Sequence, residues 1–224
     1  EVMKASPAVG AALRRPGPRP QLADSEVVTV ALYQELIGEP REDHLFRLHG
    51  TDLRQYFPRL NERSRYNRRK RDLWSVILAI RCGVLVMLHA NGHVTAVVDS
   101  APVPVVGYKR DKISSDFVGT AGYGVCSSKA LKYFGVKLHS LVTLTGIILD
   151  FILTSASPYD NQAVMELFEH HKGILREVLG DKAYNDQTLQ DTLKHELGIT
   201  LWAPRKVRHR TRLMVETVNA QLQE

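Results

Sequence analysis

The sequence predicts a mixed α/β domain preceded by an all-helical region, and three observations support this division. Residues up to about 90 show helical spacing of apolar side chains and no strand pattern. From residue 93 onward, β-branched runs closed by turn residues alternate with amphipathic segments. Their order is strand, strand, strand, helix, strand, helix, strand, helix, which is not a repeat of βαβ units. We therefore expect an α/β domain with a mixed sheet flanked by helices over residues 91–224, a helical region over 24–90 and an N-terminal arm over 1–23.

The first 90 residues contain several candidate helices. The arm is rich in Pro, Gly and Arg, which predicts poor order. Asp24 or Ser25 is the expected N-cap of the next helix, and Gly38 and Pro40 end it. Further helices are expected over 44–49, 52–56 and 64–88. Such a basic helical region suits a helix-turn-helix type of DNA reader, and a helical cap on the next domain is an equal alternative.

The α/β domain begins with the run "HVTAVVD", a β-branched strand that is expected to end at Asp99. Two more strands, joined by a hairpin-like connection at Thr145 and Gly146, complete an antiparallel meander. A short strand is expected to end at Asp181, and Gly198 stops the helix that follows. The expected later elements are strands over 132–144, 146–156, 175–181 and 199–204 and helices over 161–174, 186–198 and 208–224.

Composition and charge point to a globular protein with a polyanionic partner. The 30 Lys and Arg exceed the 24 Asp and Glu, so the net charge is +6. The two cysteines lack a C-x-x-C spacing, which argues against a disulfide framework or a zinc knuckle. The most apolar stretch, residues 74–88, is interrupted by Arg81 and is too short for a membrane span. We expect a cytoplasmic protein without a membrane partner.

The positive charge is concentrated in two clusters, which are candidate DNA-binding surfaces. The first cluster lies within residues 63–71, and the second lies within residues 205–212 and also contains Arg210. A solvated helix face is the ordinary alternative for the first cluster, but the absence of an acid within it favours DNA. The predicted contacts are Arg63, Arg65, Arg68, Arg69, Lys70 and Arg71 in the first cluster, and Arg205, Lys206, Arg208 and Arg212 in the second.

Three acids lie where metal-dependent chemistry would need them. Asp99 and Asp181 are each expected at the end of an apolar strand, and Glu216 lies on the terminal helix. Singly, each has an ordinary structural interpretation as a turn cap or a solvated ion pair. Together they supply oxygen ligands that suit Mg²⁺ or Mn²⁺. Two such ions can activate an attacking oxygen and stabilise the leaving oxygen in phosphoryl transfer.

Four blocks carry a resemblance to a known family: "VVDSAPVPV", "AGYGVCSSKALKYFGVKLHSLVTLTGIILDFILTSASPYDNQ", "VLGDKAYND" and "RTRLMVETVNAQL". They resemble consecutive blocks of the DDE transposases of bacterial insertion sequences, and the similarity runs from about Asp24 to Leu222. The resemblance implies an RNase H-like fold, with Asp99, Asp181 and Glu216 as catalytic residues and metal ligands. It also implies two Mg²⁺ or Mn²⁺ ions, terminal inverted repeats and target DNA as substrates, a homodimer, and a place on the bacterial nucleoid.

The resemblance includes a signature of Tyr, Arg, Glu and Lys around the last acid. Arg212 matches its Arg, whereas His209 stands in place of the Tyr and Gln223 in place of the Lys. These two departures concern DNA-backbone contacts rather than the metal site.

Three more residues are candidate DNA contacts. Lys137 and His139 alternate onto one face of a strand, where they either approach a phosphate or belong to an ordinary polar face. Lys182 is adjacent to Asp181, where it either contacts DNA or is simply exposed to solvent. Two rival functions remain at this point: an RNase H-like nuclease without strand transfer, and a catalytically silent DNA-binding regulator derived from a transposase.

Overall fold

The computed structural model describes residues 7–14, 20–106, 117, 119–126, 131–156, 160–181, 184–203 and 217. The chain divides between residues 88 and 89 into a helical unit and an α/β unit.

The helical unit is built around one apolar core. Leu45, Tyr66 and Leu73 are fully buried there, together with Val27 and Val30. Burial of these side chains is the main stabilising contribution, about 1.5–3 kcal/mol for each large aliphatic or aromatic residue. The helices are α1 (Pro7–Leu13), α2 (Asp24–Leu36), α3 (Glu42–Leu48), α4 (Gly50–Tyr56), α5 (Arg63–Asp72) and α6 (Trp74–Met87).

Three expectations for this unit were wrong. Part of the arm is helical, because Val9 of α1 is buried in the core. The N-cap of α2 is Ala23, whose N–H donates to Glu26 Oε2 at 2.6 Å. The expected helix over 64–88 is divided at Leu73, whose backbone (φ −89°, ψ 10°) separates α5 from α6. No proline or glycine marks this break, so helical periodicity alone could not locate it.

The α/β unit contains a mixed sheet. Its central order is β4-β3-β1-β5-β6, antiparallel from β4 to β1 and parallel from β1 to β6. β2 lies beside the first residues of β3, on the edge that β4 occupies further along. The strands are β1 (Thr95–Val106), β2 (Gly122–Cys126), β3 (Leu131–Thr143), β4 (Ile148–Ser155), β5 (Glu177–Leu179) and β6 (Thr200–Trp202).

The first strand continues past Asp99 instead of ending there. Pro102 and Pro104 still pair with β3, opposite Lys137 and Gly135. Proline lacks an N–H and is tolerated on a strand edge without a neighbour. The pairing of β5 with β1 runs from Thr95 to Val97 and so ends before either proline. Asp99 therefore lies in the middle of a long strand.

The strand β2 was missed by the sequence analysis, because it carries two glycines and does not alternate clearly. Its pairing with β3 ends where Gly122 faces Gly135. A Cβ at Gly135 would lie 2.1 Å from the carbonyl oxygen of Val103 in β1. Only glycine allows β1 and β3 to approach this closely.

Two α-helices of this unit are described. α7 (Asp160–Glu169) packs against β3 and β4, and it ends earlier than expected. α8 (Gln187–Thr192) begins at Asp186, whose side chain accepts hydrogen bonds from the Thr188 and Leu189 N–H groups. A wider helical turn, Leu193–Leu197, continues α8 up to Gly198, whose φ of 70° confirms the predicted stop. The expected final helix over 208–224 lies outside the described residues except for Thr217.

These elements form the α/β class that was expected, a helical region followed by a mixed sheet with helices packed on it. None of the described helices combines the length and apolar character needed to cross a membrane.

Candidate active site

The first acid, Asp99, lies on β1 opposite Ser140 of β3. It is half-buried, and its Oδ1 accepts a hydrogen bond from the Ser100 N–H at 2.8 Å. Residues paired across neighbouring strands share one face of the sheet. Asp99 therefore shares a face with Ser140, and Ser100 lies on the opposite face with His139.

The second acid, Asp181, follows β5, which runs parallel to β1. Val97 of β1 pairs with Leu179 of β5, and these are the last paired residues of the two strands. Asp99 and Asp181 each lie two residues further along the chain. The Gly180 N–H donates to the Trp202 carbonyl at 2.8 Å, which extends the pairing of β5 with β6 beyond Leu179. Neighbouring strands are roughly 4.8 Å apart, and positions two residues apart face the same way. The same register, continued for two more residues, would place the two aspartates side by side.

The third acid, Glu216, lies outside the described residues, and so do Lys182 and the basic residues of the second cluster. Within the described ranges, no group of three or more His, Cys, Asp or Glu side chains could hold a metal ion. Asp99 and Asp181 both carry carboxylate oxygens, the ligand type that Mg²⁺ and Mn²⁺ prefer. Their chemistry fits such an ion, and a complete site needs a further ligand.

His139 does not lie where a DNA contact would need it. Its side chain is 1% exposed, Nε2 lies 3.1 Å from Thr154 Oγ1, and Nδ1 lies 3.5 Å from the Tyr184 hydroxyl. A phosphate cannot reach a ring enclosed in this way without rearrangement of the sheet. The structure thus corrects the expected phosphate contact at His139. Lys137, two residues earlier on β3, is half-buried on the same face opposite Pro102 and remains a candidate.

The basic cluster on α5 divides into two groups. The side chain of Arg69 is 13% exposed and forms a bidentate ion pair with Asp24. Its Nε donates to Oδ1 at 2.8 Å and its Nη2 donates to Oδ2 at 2.6 Å. It also donates to the Ala12 carbonyl at 2.9 Å, which ties α5 to α1 and α2. Lys70 forms an ion pair with Glu42 of α3. These two residues hold the helical unit together and are not available to DNA in this arrangement.

The remaining arginines of the cluster are exposed. Arg65, Arg68 and Arg71 are spaced three residues apart, so they share the face of α5 opposite buried Tyr66. Within the described parts of the chain they form no ion pair. We refer to Arg65, Arg68 and Arg71 as the arginine face. Together with Arg63, it is the exposed part of the predicted cluster.

Two residues near Asp181 were missed by the sequence analysis. Tyr184 is 1% exposed, and its ring lies against Gly180: a Cβ at Gly180 would be 2.9 Å from Tyr184 Cδ2. The only sequence signal was the block "VLGDKAYND", which contains Gly180, Asp181 and Tyr184. Nothing in local periodicity indicates that Tyr184 contacts a histidine 45 positions earlier.

Comparisons with known proteins give the family. A search of the curated proteins found no match. Among the solved structures, the chain is similar to a piggyBac transposase in a synaptic complex with hairpin DNA, with 12% sequence identity and a TM-score of 0.44. That match covers 91% of this chain and 45% of the other, so this chain spans less than half of the length of that protein. The sequence model of the transposase DDE domain matches residues 90–224, more than half of the 224 residues. The chain therefore belongs to the transposase DDE domain family.

Proposed function

We propose that this chain is the transposase of a bacterial insertion sequence, which cleaves DNA at the ends of the element and joins the freed ends to target DNA. Membership of the transposase DDE domain family supports a DNA-cleaving enzyme. The observation that supports the proposal within the structure is the register of β1 and β5, because Asp99 and Asp181 follow the paired residues Val97 and Leu179 by two positions each.

Asp99 and Asp181, with Glu216, would hold Mg²⁺ or Mn²⁺, two ions in each active site. When bound, the ions would activate the attacking oxygen and stabilise the leaving oxygen at phosphorus. Asp99 on β1 and Asp181 just after β5 would supply two of the carboxylates, and the sheet backbone would hold them rigidly. Water is the first nucleophile and the freed 3′-hydroxyl the second, so no covalent link between protein and DNA is required.

The DNA would be held by basic residues outside the acid cluster. The arginine face, with Arg63, would bind phosphates without reading sequence. The other proposed contacts are Lys137, Lys182, Arg205, Lys206, Arg208 and Arg212. We further propose that the protein acts as a homodimer on two terminal inverted repeats, on the nucleoid in the bacterial cytoplasm.

The direct test replaces each aspartate by asparagine. Asp99→Asn and Asp181→Asn keep the size of the side chain but remove the charge that holds the metal. We expect each variant to lose cleavage of labelled element ends in Mg²⁺ by at least about 10³-fold. DNA binding is retained, because removing an anion beside DNA relieves repulsion.

The matched control is Asp191→Asn, an exposed carboxylate that accepts a hydrogen bond from Gln187 within the same unit. It should cleave at the wild-type rate. Wild-type cleavage by both Asp99→Asn and Asp181→Asn would show that these residues are ordinary strand and turn residues, and the proposed mechanism would be wrong.

A further inference from the structure

A buried polar chain crosses the sheet on the face opposite Asp99. His139 of β3 contacts Thr154 of β4 through Nε2 at 3.1 Å and the Tyr184 hydroxyl through Nδ1 at 3.5 Å. His139 and Tyr184 are each 1% exposed. Buried polar groups are costly unless they are hydrogen-bonded, so this arrangement specifies one position for Tyr184.

Tyr184 in turn holds the backbone at Asp181. Its N–H donates to the Asp181 carbonyl at 3.1 Å, and its own carbonyl accepts from the Asp186 N–H at 2.9 Å. Its ring fills the space beside Gly180, where a Cβ would come within 2.9 Å. On the other side, the Gly180 N–H is bonded to Trp202 of β6. The residue before Asp181 is therefore held from β6 and from Tyr184 together.

We propose that His139 and Tyr184 are positioning residues, which hold Asp181 level with Asp99 although neither touches the metal or the DNA. This inference rests on the proposed function, in which both aspartates bind metal. Catalytic constellations must be held to within roughly 0.5 Å, and a displacement of about 1 Å can cost 10²-fold in rate. Asp181 follows a strand of only three residues, so the pairing of β5 alone gives it little support.

The first test is Tyr184→Phe, which removes the contact to His139 and keeps the ring beside Gly180. We measure amide hydrogen exchange at Tyr184 or its replacement and at Asp186, and the Mg²⁺ concentration that gives half-maximal cleavage. Loosening of the backbone contact between Tyr184 and Asp181 should speed exchange about tenfold at both amides and raise the half-maximal Mg²⁺ concentration about tenfold. The cleavage rate in saturating Mg²⁺ should fall much less. A purely structural role would lower thermal stability without moving the Mg²⁺ dependence.

The matched control is Tyr66→Phe. Tyr66 is fully buried in the helical unit, and its hydroxyl has no hydrogen-bond partner within the part of the chain that the structure describes. Removal of this hydroxyl should leave unchanged the amide exchange at Tyr184 and Asp186 and the Mg²⁺ dependence of cleavage. Wild-type exchange and Mg²⁺ dependence in Tyr184→Phe would overturn the proposal.

A second pair of variants separates the two contacts of the histidine. His139→Asn keeps an acceptor near the position of Nδ1, whereas His139→Gln keeps a polar group near Nε2. If the contact to Tyr184 is the one that positions Asp181, His139→Asn shows the lower half-maximal Mg²⁺ concentration of the two. The reverse order would contradict the proposal.

The exchange measurement needs no catalysis, so it distinguishes failure of the positioning role from failure of the proposed function. Faster exchange in Tyr184→Phe, together with a wild-type protein that does not cleave, would support the positioning contact and overturn the proposed function. Unchanged exchange, together with a cleaving wild type, would overturn only the positioning role.

Discussion

Adjacent arginines on α5 have different roles. Arg69 is largely buried and bonded to Asp24 and to the Ala12 carbonyl, whereas Arg68 is exposed. Removing one partner of a buried ion pair leaves the other charge uncompensated. We expect Arg69→Ala to lower the free energy of unfolding of the helical unit by about 2–3 kcal/mol, measured by denaturant titration.

The neighbouring variant Arg68→Ala is the control and should change the free energy of unfolding by less than about 0.5 kcal/mol. Asp24→Ala combined with Arg69→Ala should cost less than the sum of the single variants, because both act on one contact. Equal, small effects of Arg68→Ala and Arg69→Ala would show that the ion pair with Asp24 contributes nothing to stability.

At the scale of elements, a carboxylate on β4 joins the sheet to the turn after α7. Asp150 Oδ2 lies 3.0 Å from His170 Nδ1 and 3.3 Å from His171 Nε2. Burial alone would raise the pKa of Asp150 from 3.8, but hydrogen bonds from His171, His170 and the Phe151 N–H outweigh it and lower the pKa to about 2. We expect an NMR titration of the Asp150 carboxyl carbon to have its midpoint near that value.

The sign of the pH effect follows from this shift. The pKa of Asp150 in the folded state lies below 3.8, so ionised Asp150 stabilises the folded state. This stabilisation is complete above about pH 4 and is lost as the pH falls towards 2. It amounts to about 2 kcal/mol. His171→Gln should raise the midpoint more than His170→Gln, because His171 is 17% exposed and His170 is 61% exposed. A midpoint near 3.8 in the wild type would mean that the histidines do not hold Asp150.

The arginine face gives a second prediction at this scale. Arg68→Ala with Arg71→Ala removes two exposed charges and leaves Arg69 and Lys70 in place. If both contact phosphates, the slope of log binding constant against log salt concentration should fall by about 2, equally for element-end and unrelated DNA.

The control for this variant is Arg47→Ala with Arg59→Ala, which removes the same charge from exposed positions elsewhere in the helical unit. Its salt slope should remain close to that of the wild type. Equal changes in the two double variants would indicate a general effect of net charge, and an unchanged slope in the first would make the arginine face an ordinary solvated surface.

At the scale of the whole molecule, the DNA products of the reaction test the proposed function. A transposase joins a freed 3′-hydroxyl to target DNA, whereas a nuclease of the same fold only hydrolyses. We expect a labelled, pre-cleaved element end to be joined to a target plasmid in Mg²⁺, and the same end terminated with a dideoxynucleotide to give no joined product. Cleavage without joining would favour the nuclease, and the absence of both reactions would favour the silent DNA-binding regulator.

Several features of this protein were determined by the sequence itself, because they depend on local periodicity and residue type. The alternation of β-branched residues predicted the strand that carries Asp99, and the block before Asp181 predicted β5. Gly198 ends its helix, because glycine adopts a positive φ without strain. The division into a helical part and a mixed sheet follows from the same local patterns.

Other features were decided only by the tertiary structure, because they depend on which residues meet across long stretches of chain. Arg69 had the same sequence signal as Arg68, and its partner Asp24 lies 45 positions away. His139 had the alternation of a surface residue, and the approach of Tyr184 and Thr154 buries it. Asp99 and Asp181 lie 82 positions apart, and only the parallel pairing of β1 with β5 brings the strand of Asp99 beside the residues that precede Asp181. Local patterns define a strand or a helix, but the partner of a side chain is set by packing, which no single segment encodes.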